Sequence, residues 1–307
     1  MAEKEVSVRG RVIREMIAHV TDEHLIGKKI KSGELRKKLV EPPWKCPDIF
    51  NNTVIRMKHF TMEYLELKEK PNRDKVVLQL HGGGYIGAMR NAYRTFAGLY
   101  SELGRGIPVL TVDYRVAPEN PYPAALLDAA EAYFWLLKQG FAAGQIIVAG
   151  DSAGGGLAMA LCMYLRDHDY ELPCGLIAMS PWTDLTAGGE SYDTNYEKDP
   201  LFGRTRDSLI YNRDYIGTCS PREPYISPLF GDFTDFPPML IQAGDYEMLL
   251  SDSVSVAKKA KQAGVKVRLS VYEGMFHVFQ MALLLMPESK RAWTEIGRFI
   301  DIIRKED

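Results

Sequence analysis

Two glycine-rich stretches decide the fold of this chain: His81-Gly82-Gly83-Gly84-Tyr85 and Gly150-Asp151-Ser152-Ala153-Gly154-Gly155. Each follows a short apolar run, 76–80 before the first and 146–149 before the second. The second stretch has the Gly-x-Ser-x-Gly form of a sharp strand-to-helix turn, where glycines are needed because neighbouring backbone comes very close. The glycines of the first stretch leave backbone N–H groups open to a developing oxyanion. Together they predict a serine nucleophile at position 152 and an oxyanion loop before it.

Neither stretch is expected to bind a nucleotide. No Gly-Lys-Ser/Thr follows the glycines, as a phosphate-binding loop would require. The segment 82–87 has a Gly-x-Gly-x-x-Gly spacing, but no acidic residue lies near position 107, where a ribose contact would be expected. The serine reading is therefore favoured.

A hydrolytic serine needs a histidine base and an orienting carboxylate, in the chain order Ser, Asp/Glu, His. Of the six histidines, His168 lies in a charged stretch typical of a solvated helix end, and the others except His277 precede the serine. His277 follows a strand-like run and a turn, and apolar residues flank it. His277 is therefore predicted to be the base.

The acid is expected after the strand-like run 238–243, where Asp245, Glu247 and Asp252 are candidates. Glu247 is favoured because the interval to His277 accommodates one helix and one strand. Asp252 is interpreted as the N-cap of the next helix, which is a structural role. Asp245 remains the alternative acid.

The motifs resemble those of hormone-sensitive-lipase-type carboxylesterases, which are α/β-hydrolases with a His-Gly-Gly-Gly motif. The resemblance runs from about Val76 to the C-terminus, and its marks are 81–84, 113–119, 150–155, 180–182 and 275–277. It implies that Ser152 is the nucleophile and His277 the base. It also implies that Gly83, Gly84 and Ala153 donate hydrogen bonds to the oxyanion. The family's acid is usually an Asp followed by Pro-Leu, whereas segment 244–250 resembles a branch with Glu at this position.

Further residues of the motifs are assigned by the same resemblance. His81 and Gly82 complete the oxyanion motif. Tyr85 stands where Phe or Trp is frequent in the family, and we expect it to contact substrate together with Trp182 and Phe276. Trp182 is equally compatible with core packing.

Several charged residues near the motifs are expected to be structural. Asp113, Arg115 and Glu119 follow a strand-like run and precede prolines, so we expect a salt-bridge and turn framework near the oxyanion loop. Asp151 precedes the nucleophile in the chain. We therefore expect it to bond locally and not to act as the triad acid.

Strand-like and helical segments alternate from Val76 onward, which predicts an α/β fold with a mainly parallel, twisted sheet and helices on both faces. Segments 53–60 and 61–67 are expected to form a leading antiparallel pair. The segments that do not alternate are expected to form a helical cap over the site. The predicted catalytic domain is 51–184 and 226–307, and the predicted cap is 1–50 and 185–225.

Composition limits the function classes. Hydrophobic residues make up 46% of the 307 residues, and the net charge of −2 gives no reason to expect a nucleic-acid partner. The four cysteines have no paired spacing, which argues against a disulfide framework or a zinc site and favours a reducing compartment. No signal-peptide core begins the sequence, and its strongest apolar run, 281–286, is far shorter than the about 20 residues that span a bilayer. We expect a cytoplasmic protein without stable membrane insertion.

The predicted function is a serine carboxylesterase acting on a small ester with a short or medium acyl chain. The chemistry requires no metal and no organic cofactor. One alternative is the same triad acting on an amide or thioester, and another is a non-catalytic small-molecule receptor. The strand-like run 266–272 is expected at an edge of the sheet, through which a homodimer is predicted.

Overall fold

A computed structural model describes residues 6–21, 41–203 and 213–305 of the chain. Within these residues the strands are β1 (Phe50–Arg56), β2 (Thr61–Leu67), β3 (Val76–Leu80), β4 (Val109–Asp113), β5 (Ile146–Asp151), β6 (Gly175–Met179), β7 (Met239–Gly244) and β8 (Val267–Tyr272). The helices are α1 (Val8–Thr21), α2 (Asn91–Leu103), α3 (Ala124–Lys138), α4 (Ala153–Asp167), α5 (Ser191–Thr194), α6 (Leu250–Gln262) and α7 (Pro287–Ile303). Short 3₁₀ turns occupy Ala143–Gln145, Pro228–Phe230 and Phe279–Leu285.

All of these strands join one sheet in the order β1-β2-β4-β3-β5-β6-β7-β8. β1 pairs with β2, and β2 with β4, in antiparallel fashion. The remaining neighbours are parallel, so β3 to β8 all end at one edge. In such sheets the loops beyond the carboxyl ends of the strands form the ligand crevice. The predicted α/β fold with a mainly parallel sheet is confirmed.

Helices cover both faces of the sheet because successive strand residues point to opposite sides. Val76, Leu78 and Leu80 of β3 face a core that contains residues of α3, α4 and α6. Val77, between them, faces the opposite core, which is built on α2 and α7. Every residue of β3, β5, β6 and β7 is buried, which is typical of parallel strands covered on both sides.

The clearest differences from the sequence prediction concern β1 and α6. β1 begins at Phe50 and ends at Arg56, because Met57 donates its N–H to the carbonyl of Phe60 and so closes the turn to β2. α6 begins at Leu250, so Asp252 lies inside the first turn and is not the N-cap. Its carboxylate is used elsewhere, as described below.

α1 packs near the carboxyl ends of the strands. The Arg14 guanidinium donates to the carbonyl of Gly274 and lies 4.2 Å from the ring centre of Tyr246. Ile13 and Ile17 pack against a small core around Met275 and Phe276. α1 therefore covers the loop that carries His277.

The rest of the predicted N-terminal cap is placed differently or lies outside the described residues. Trp44 and Cys46 pack against the core between the sheet and helices α2 and α7. Residues 1–5 and 22–40 of the first cap segment and residues 204–212 of the second are not among the described residues. β8 does lie at an edge of the sheet, as predicted, whereas dimerisation through it stays a prediction.

In the part of the chain that the structure describes, no helix has the length and apolar character needed to cross a bilayer. The cysteines, all of them among the described residues, are free thiols.

Candidate active site

Ser152 lies at the turn between β5 and α4. Its backbone has φ 52° and ψ −123°, a conformation that costs free energy for a residue with a side chain. The turn is held because the Ser152 N–H donates to the carbonyl of Met179 at the end of β6. The residue is 8% exposed, and it lines a cleft above the sheet.

The glycines around Ser152 are required by close backbone contacts. A Cβ atom on Gly150 would lie 2.2 Å from the carbonyl oxygen of Gly154, across the turn. A Cβ atom on Gly154 would lie 2.1 Å from the carbonyl oxygen of Leu80, at the end of β3. The glycine spacing that was read from the sequence therefore reflects how tightly the turn packs on itself and on β3.

The oxyanion loop follows β3 directly. Gly83 and Gly84 adopt φ values of 114° and 62°, which favour glycine, and both line the cleft beside Ser152. Gly82 donates its N–H to the Asp151 carboxylate at 3.0 Å, which ties the loop to the elbow. Ala153 is the first residue of α4, where a backbone N–H has no partner within the helix and the helix dipole favours negative charge.

His81 is fully buried beneath the oxyanion loop. Its Nδ1 atom lies 2.7 Å from the carbonyl oxygen of Gly82, and its ring stacks on Tyr114 with 4.0 Å between ring centres. The Tyr114 hydroxyl donates to the His81 carbonyl. Burial lowers the pKa of His81, which favours the neutral ring. The placement supports a role in shaping the loop.

Glu247 and His277 form a buried pair. The Glu247 Oε2 atom lies 2.9 Å from His277 Nδ1, and both side chains are buried. The other carboxylate oxygen accepts hydrogen bonds from the Ser180 hydroxyl at 3.0 Å and from the Gly244 N–H. With Nδ1 donating to the carboxylate, Nε2 is left as the proton acceptor. His277 and Ser152 line the same cleft.

The two other acid candidates point elsewhere. The Asp245 carboxylate accepts the Gly274 N–H at 2.6 Å, which closes the turn before the histidine loop. The Asp252 carboxylate accepts the N–H groups of Thr183 and Asp184, both at 2.7 Å. Burial raises the pKa of Asp252 to about 8. The structure therefore brings Glu247, and neither alternative, to the imidazole.

Asp151 is a buried carboxyl at the edge of the cleft. One oxygen accepts the Gly82 N–H, and the other accepts the Tyr93 hydroxyl at 3.3 Å. Burial raises the pKa of Asp151 to about 7, and the nearby His277 acts in the opposite direction. Its side-chain partners, Gly82 and Tyr93, are close in space but distant in the chain, whereas bonding within its own turn was expected.

The expected charged framework includes a residue that the sequence did not reveal. Arg115 forms a two-point ion pair with Asp128 of α3, at 2.7 Å between Arg115 Nη2 and Asp128 Oδ1. Asp113 accepts the Met89 N–H beyond the oxyanion loop. Asp128 is buried within a stripe of apolar helix residues, so spacing alone gave no reason to select it.

The cleft has a volume of about 330 Å³ and walls that are mostly apolar. Trp182 and Phe276 line it, and Trp182 also packs in the core, so contact of either with substrate stays a prediction. Tyr85 does not line it, and the prediction that Tyr85 contacts substrate is corrected. The Tyr85 side chain is 1% exposed because its ring stacks on Tyr215 with 3.7 Å between ring centres.

Further wall residues were not singled out from the sequence. Ile17 of α1 and the pair Leu201 and Phe202 line the cleft, and the Phe202 ring centre lies 4.8 Å from that of His277. Ser180 was noted only as part of a motif. Its hydroxyl donates to Glu247 and accepts the Val278 N–H at 3.0 Å, so it joins the acid to the histidine loop. Within the described residues, no group of His, Cys, Asp or Glu side chains is arranged to hold a metal ion.

Comparison with known proteins agrees with this geometry. Residues 77–281 match the model of a family described as having the alpha/beta hydrolase fold. An acetyl-hydrolase of Streptomyces hygroscopicus is 36% identical over 247 residues, which cover 80% of this chain and 81% of that protein. A crystal structure of an esterase from the bacterial hormone-sensitive lipase family superposes with a TM-score of 0.82 at 33% identity, covering 99% of each chain. The protein EstE5, in a crystal soaked with p-nitrophenyl butyrate, gives a TM-score of 0.86 at 30% identity over 97% of this chain and 99% of its own.

An elbow serine, a glycine oxyanion loop and a buried carboxylate–imidazole pair thus meet at the carboxyl end of a parallel sheet, and both sequence and structure match esterases. The chain belongs to the alpha/beta hydrolase fold family, in its hormone-sensitive lipase branch, and is a carboxylic ester hydrolase.

Proposed function

We propose that the chain is a serine esterase that uses a Ser152–Glu247–His277 triad on short- to medium-chain acyl esters. The observation that carries this proposal is the 2.9 Å contact between Glu247 and His277 Nδ1, in the cleft that Ser152 also lines. A carboxylate at Nδ1 holds the imidazole in the tautomer whose Nε2 accepts a proton.

In the proposed reaction, His277 Nε2 takes the proton of the Ser152 hydroxyl as its oxygen attacks the ester carbonyl carbon. The carbonyl π electrons move to oxygen, and the N–H groups of Gly83, Gly84 and Ala153 hold that oxyanion. The carbonyl re-forms, and the C–O bond to the alcohol breaks as His277 returns the proton to the leaving alkoxide. Water then attacks the acyl-enzyme in the same way, with His277 first as base and then as acid.

The helix dipole and the glycine loop supply preorganised positive potential at the oxyanion. Both are fixed before substrate binds, because Gly82 is bonded to Asp151 and Ala153 begins a buried helix. Removing one such donor typically costs about 10²- to 10³-fold in kcat.

The proposed acyl range follows from the size and character of the cleft. A volume of about 330 Å³ lies near the lower end of the roughly 300 to 1,000 Å³ of ligand pockets. Its walls include Leu201, Phe202, Leu249 and Met281, which favour an apolar acyl or alcohol group. The acetyl-hydrolase among the relatives, and the butyrate ester soaked into EstE5, are consistent with short acyl groups.

We also propose that α1 and the segment after β6 act as the cap of the cleft. Ile17, Leu201 and Phe202 contribute to its wall, and such a cover limits the access of water to the acyl-enzyme. Amide or thioester hydrolysis by the same triad remains the alternative, since the machinery is shared.

The proposal is tested by hydrolysis of p-nitrophenyl esters from acetate to dodecanoate, with the wild type and Ser152→Ala in parallel. We expect turnover that declines beyond medium chains and is lost in the variant. Turnover that persists in folded Ser152→Ala would refute the nucleophile. Turnover that increases steadily to dodecanoate would refute the acyl range, and turnover of matched amides or thioesters at higher kcat/KM would favour the alternative.

A further inference from the structure

Three polar residues of the cap segment share one face. Ser191, Asn195 and Asp199 are spaced by four, and the N–H of each later residue donates to the carbonyl of the one before, at 3.0 Å and 2.8 Å. Residues four apart on such turns lie one above the other. All three side chains are buried, although the segment belongs to the cap and not to the sheet.

This face binds the loop that carries Glu247. The Asn195 amide donates to the carbonyls of Asp245 and Glu247, both at 2.9 Å. The Asp199 Oδ2 atom accepts the N–H of Met248 at 2.7 Å. The loop's backbone groups on both sides of the Glu247 side chain are therefore fixed by the cap segment.

Ser191 continues the same contact one turn earlier. Its hydroxyl donates to the carbonyl of Met248 at 2.6 Å and accepts the N–H of Ser251 at 2.8 Å. The Ser251 hydroxyl accepts the Ser191 N–H in return. This reciprocal pair anchors the segment to the start of α6.

Asp199 has a second arm that reaches the cleft. Its Oδ1 atom accepts the N–H groups of Leu201 and Phe202, at 2.8 Å and 3.0 Å. Both of these residues form the cleft wall, and Phe202 packs on the His277 ring. A single buried carboxylate thus joins the wall that would contact substrate to the loop of the catalytic acid.

We propose that Asn195 and Asp199 are positioning residues that hold Glu247 against His277, so that the cap segment supports the triad as well as covering the cleft. The inference rests on the proposed triad. A glutamate is one methylene longer than the aspartate usual at this position, so its loop must be set back from the imidazole. The bonds from Asn195 and Asp199 fix that setting from outside the sheet.

Asp199→Asn cuts one arm selectively. The amide oxygen still accepts the N–H groups of Leu201 and Phe202. The NH₂ group then faces the Met248 N–H, and because both are donors, the hydrogen bond to Met248 is lost. Asn195→Ala removes the two donations to Asp245 and Glu247 and leaves the charge of the site unchanged. A loss of kcat that both variants share is therefore due to the position of Glu247 and not to a change in charge.

Asp184→Asn is the matched control. Asp184 is a buried carboxylate of the same region that also accepts backbone N–H groups, from Thr186 and Gly188. Those side-chain bonds close a local turn and do not touch the loop of Glu247. If the substitutions acted only by lowering the stability of the cap segment, Asp184→Asn would lower kcat as much as the other two variants do.

Two measurements are made on each folded variant. Steady-state hydrolysis of p-nitrophenyl butyrate should show kcat lowered by about 10- to 100-fold in Asp199→Asn and Asn195→Ala, with KM little changed. Proton NMR should show the downfield Nδ1 proton of His277, bonded to a carboxylate, in the wild type and Asp184→Asn. That resonance is assigned by its loss in His277→Gln, and we expect it to be lost or shifted in the two positioning variants.

The outcomes separate this inference from the proposed function. If folded Asp199→Asn and Asn195→Ala keep both kcat and the Nδ1 resonance of the wild type, the inference is overturned while the esterase stands. If the wild type hydrolyses no ester, the proposed function fails, and the resonance alone decides whether the two residues position Glu247. If one variant does not fold, the other decides by the same two measurements.

Discussion

Gly154→Ala tests whether close packing between the elbow and β3 sets the geometry of the oxyanion site. The new Cβ atom would lie 2.1 Å from the Leu80 carbonyl oxygen and 2.5 Å from that of His81, and both are backbone atoms. Cβ atoms essentially never lie closer than 3.0 Å to such an atom, so the end of β3 must retreat from α4 by at least about 0.9 Å. The oxyanion loop begins at this point, so its N–H groups move away from Ser152 by a similar amount.

The expected loss in kcat/KM is about 100-fold, since a misplacement of about 1 Å at a reacting centre costs that much. Stability has two opposing contributions. Alanine in place of glycine stabilises a helix by up to about 1 kcal/mol, whereas overpacking costs about 1 to 3 kcal/mol. We therefore expect the free energy of unfolding to fall by as much as about 2 kcal/mol, less if the structure relaxes.

The assay is p-nitrophenyl butyrate hydrolysis together with urea unfolding. Gly144→Ala is the control, because a Cβ atom there meets nothing within 4 Å; it should leave kcat/KM unchanged and should not lower the free energy of unfolding. If Gly154→Ala kept kcat/KM within about threefold of the wild type and also raised stability, the reasoning from packing would be refuted.

Two further predictions concern carboxylates. Glu247→Gln should lower kcat by roughly 10³- to 10⁴-fold, because the amide no longer fixes the imidazole tautomer. Asp245→Asn should leave most activity intact. Steady-state kinetics with p-nitrophenyl butyrate measures both, and equal losses in kcat would contradict the assignment of Glu247. Burial raises the pKa of Asp151 from 3.8 to about 7, so its contribution to stability is fully present below the unfolded-chain value and is lost progressively as pH rises to about 7. In Asp151→Asn the amide can accept the Gly82 N–H and donate to the Tyr93 hydroxyl. The free energy of unfolding in urea, measured between pH 5 and pH 8, should therefore depend less on pH than in the wild type. An unchanged pH dependence would contradict this prediction.

Much of the fold was accessible from local patterns. Strands such as β3 and β5 are continuous apolar runs beside glycines, and the parallel sheet follows from their alternation with helices. The errors occurred where a short turn or a tertiary contact decides a boundary. The turn at Met57 ends β1 early, and α6 extends to Leu250 because Asp252 is used to bind the loop after β6 and not to cap its helix.

The candidate site likewise combines residues that local sequence predicts with residues that only distant contacts place. Ser152 was predicted from the glycines that its turn requires, and His277 from its place after the last strand. Tyr85 could not be placed from its neighbours in sequence, because its ring is covered by Tyr215, which is distant in the chain. The same holds for Asp128, which pairs with Arg115 from within an apolar helix.

Residues close together in the chain suffice to predict the alternation of strands and helices and the two glycine motifs, because apolar periodicity and tight turns are local properties. Which carboxylate meets the imidazole, in contrast, depends on contacts between distant segments. Asp245 and Glu247 are two residues apart, and the contacts that separate them come from Gly274, Ser180 and Asn195. Those partners lie far away in sequence, and the pairing exists only once the sheet and the cap segment have packed together.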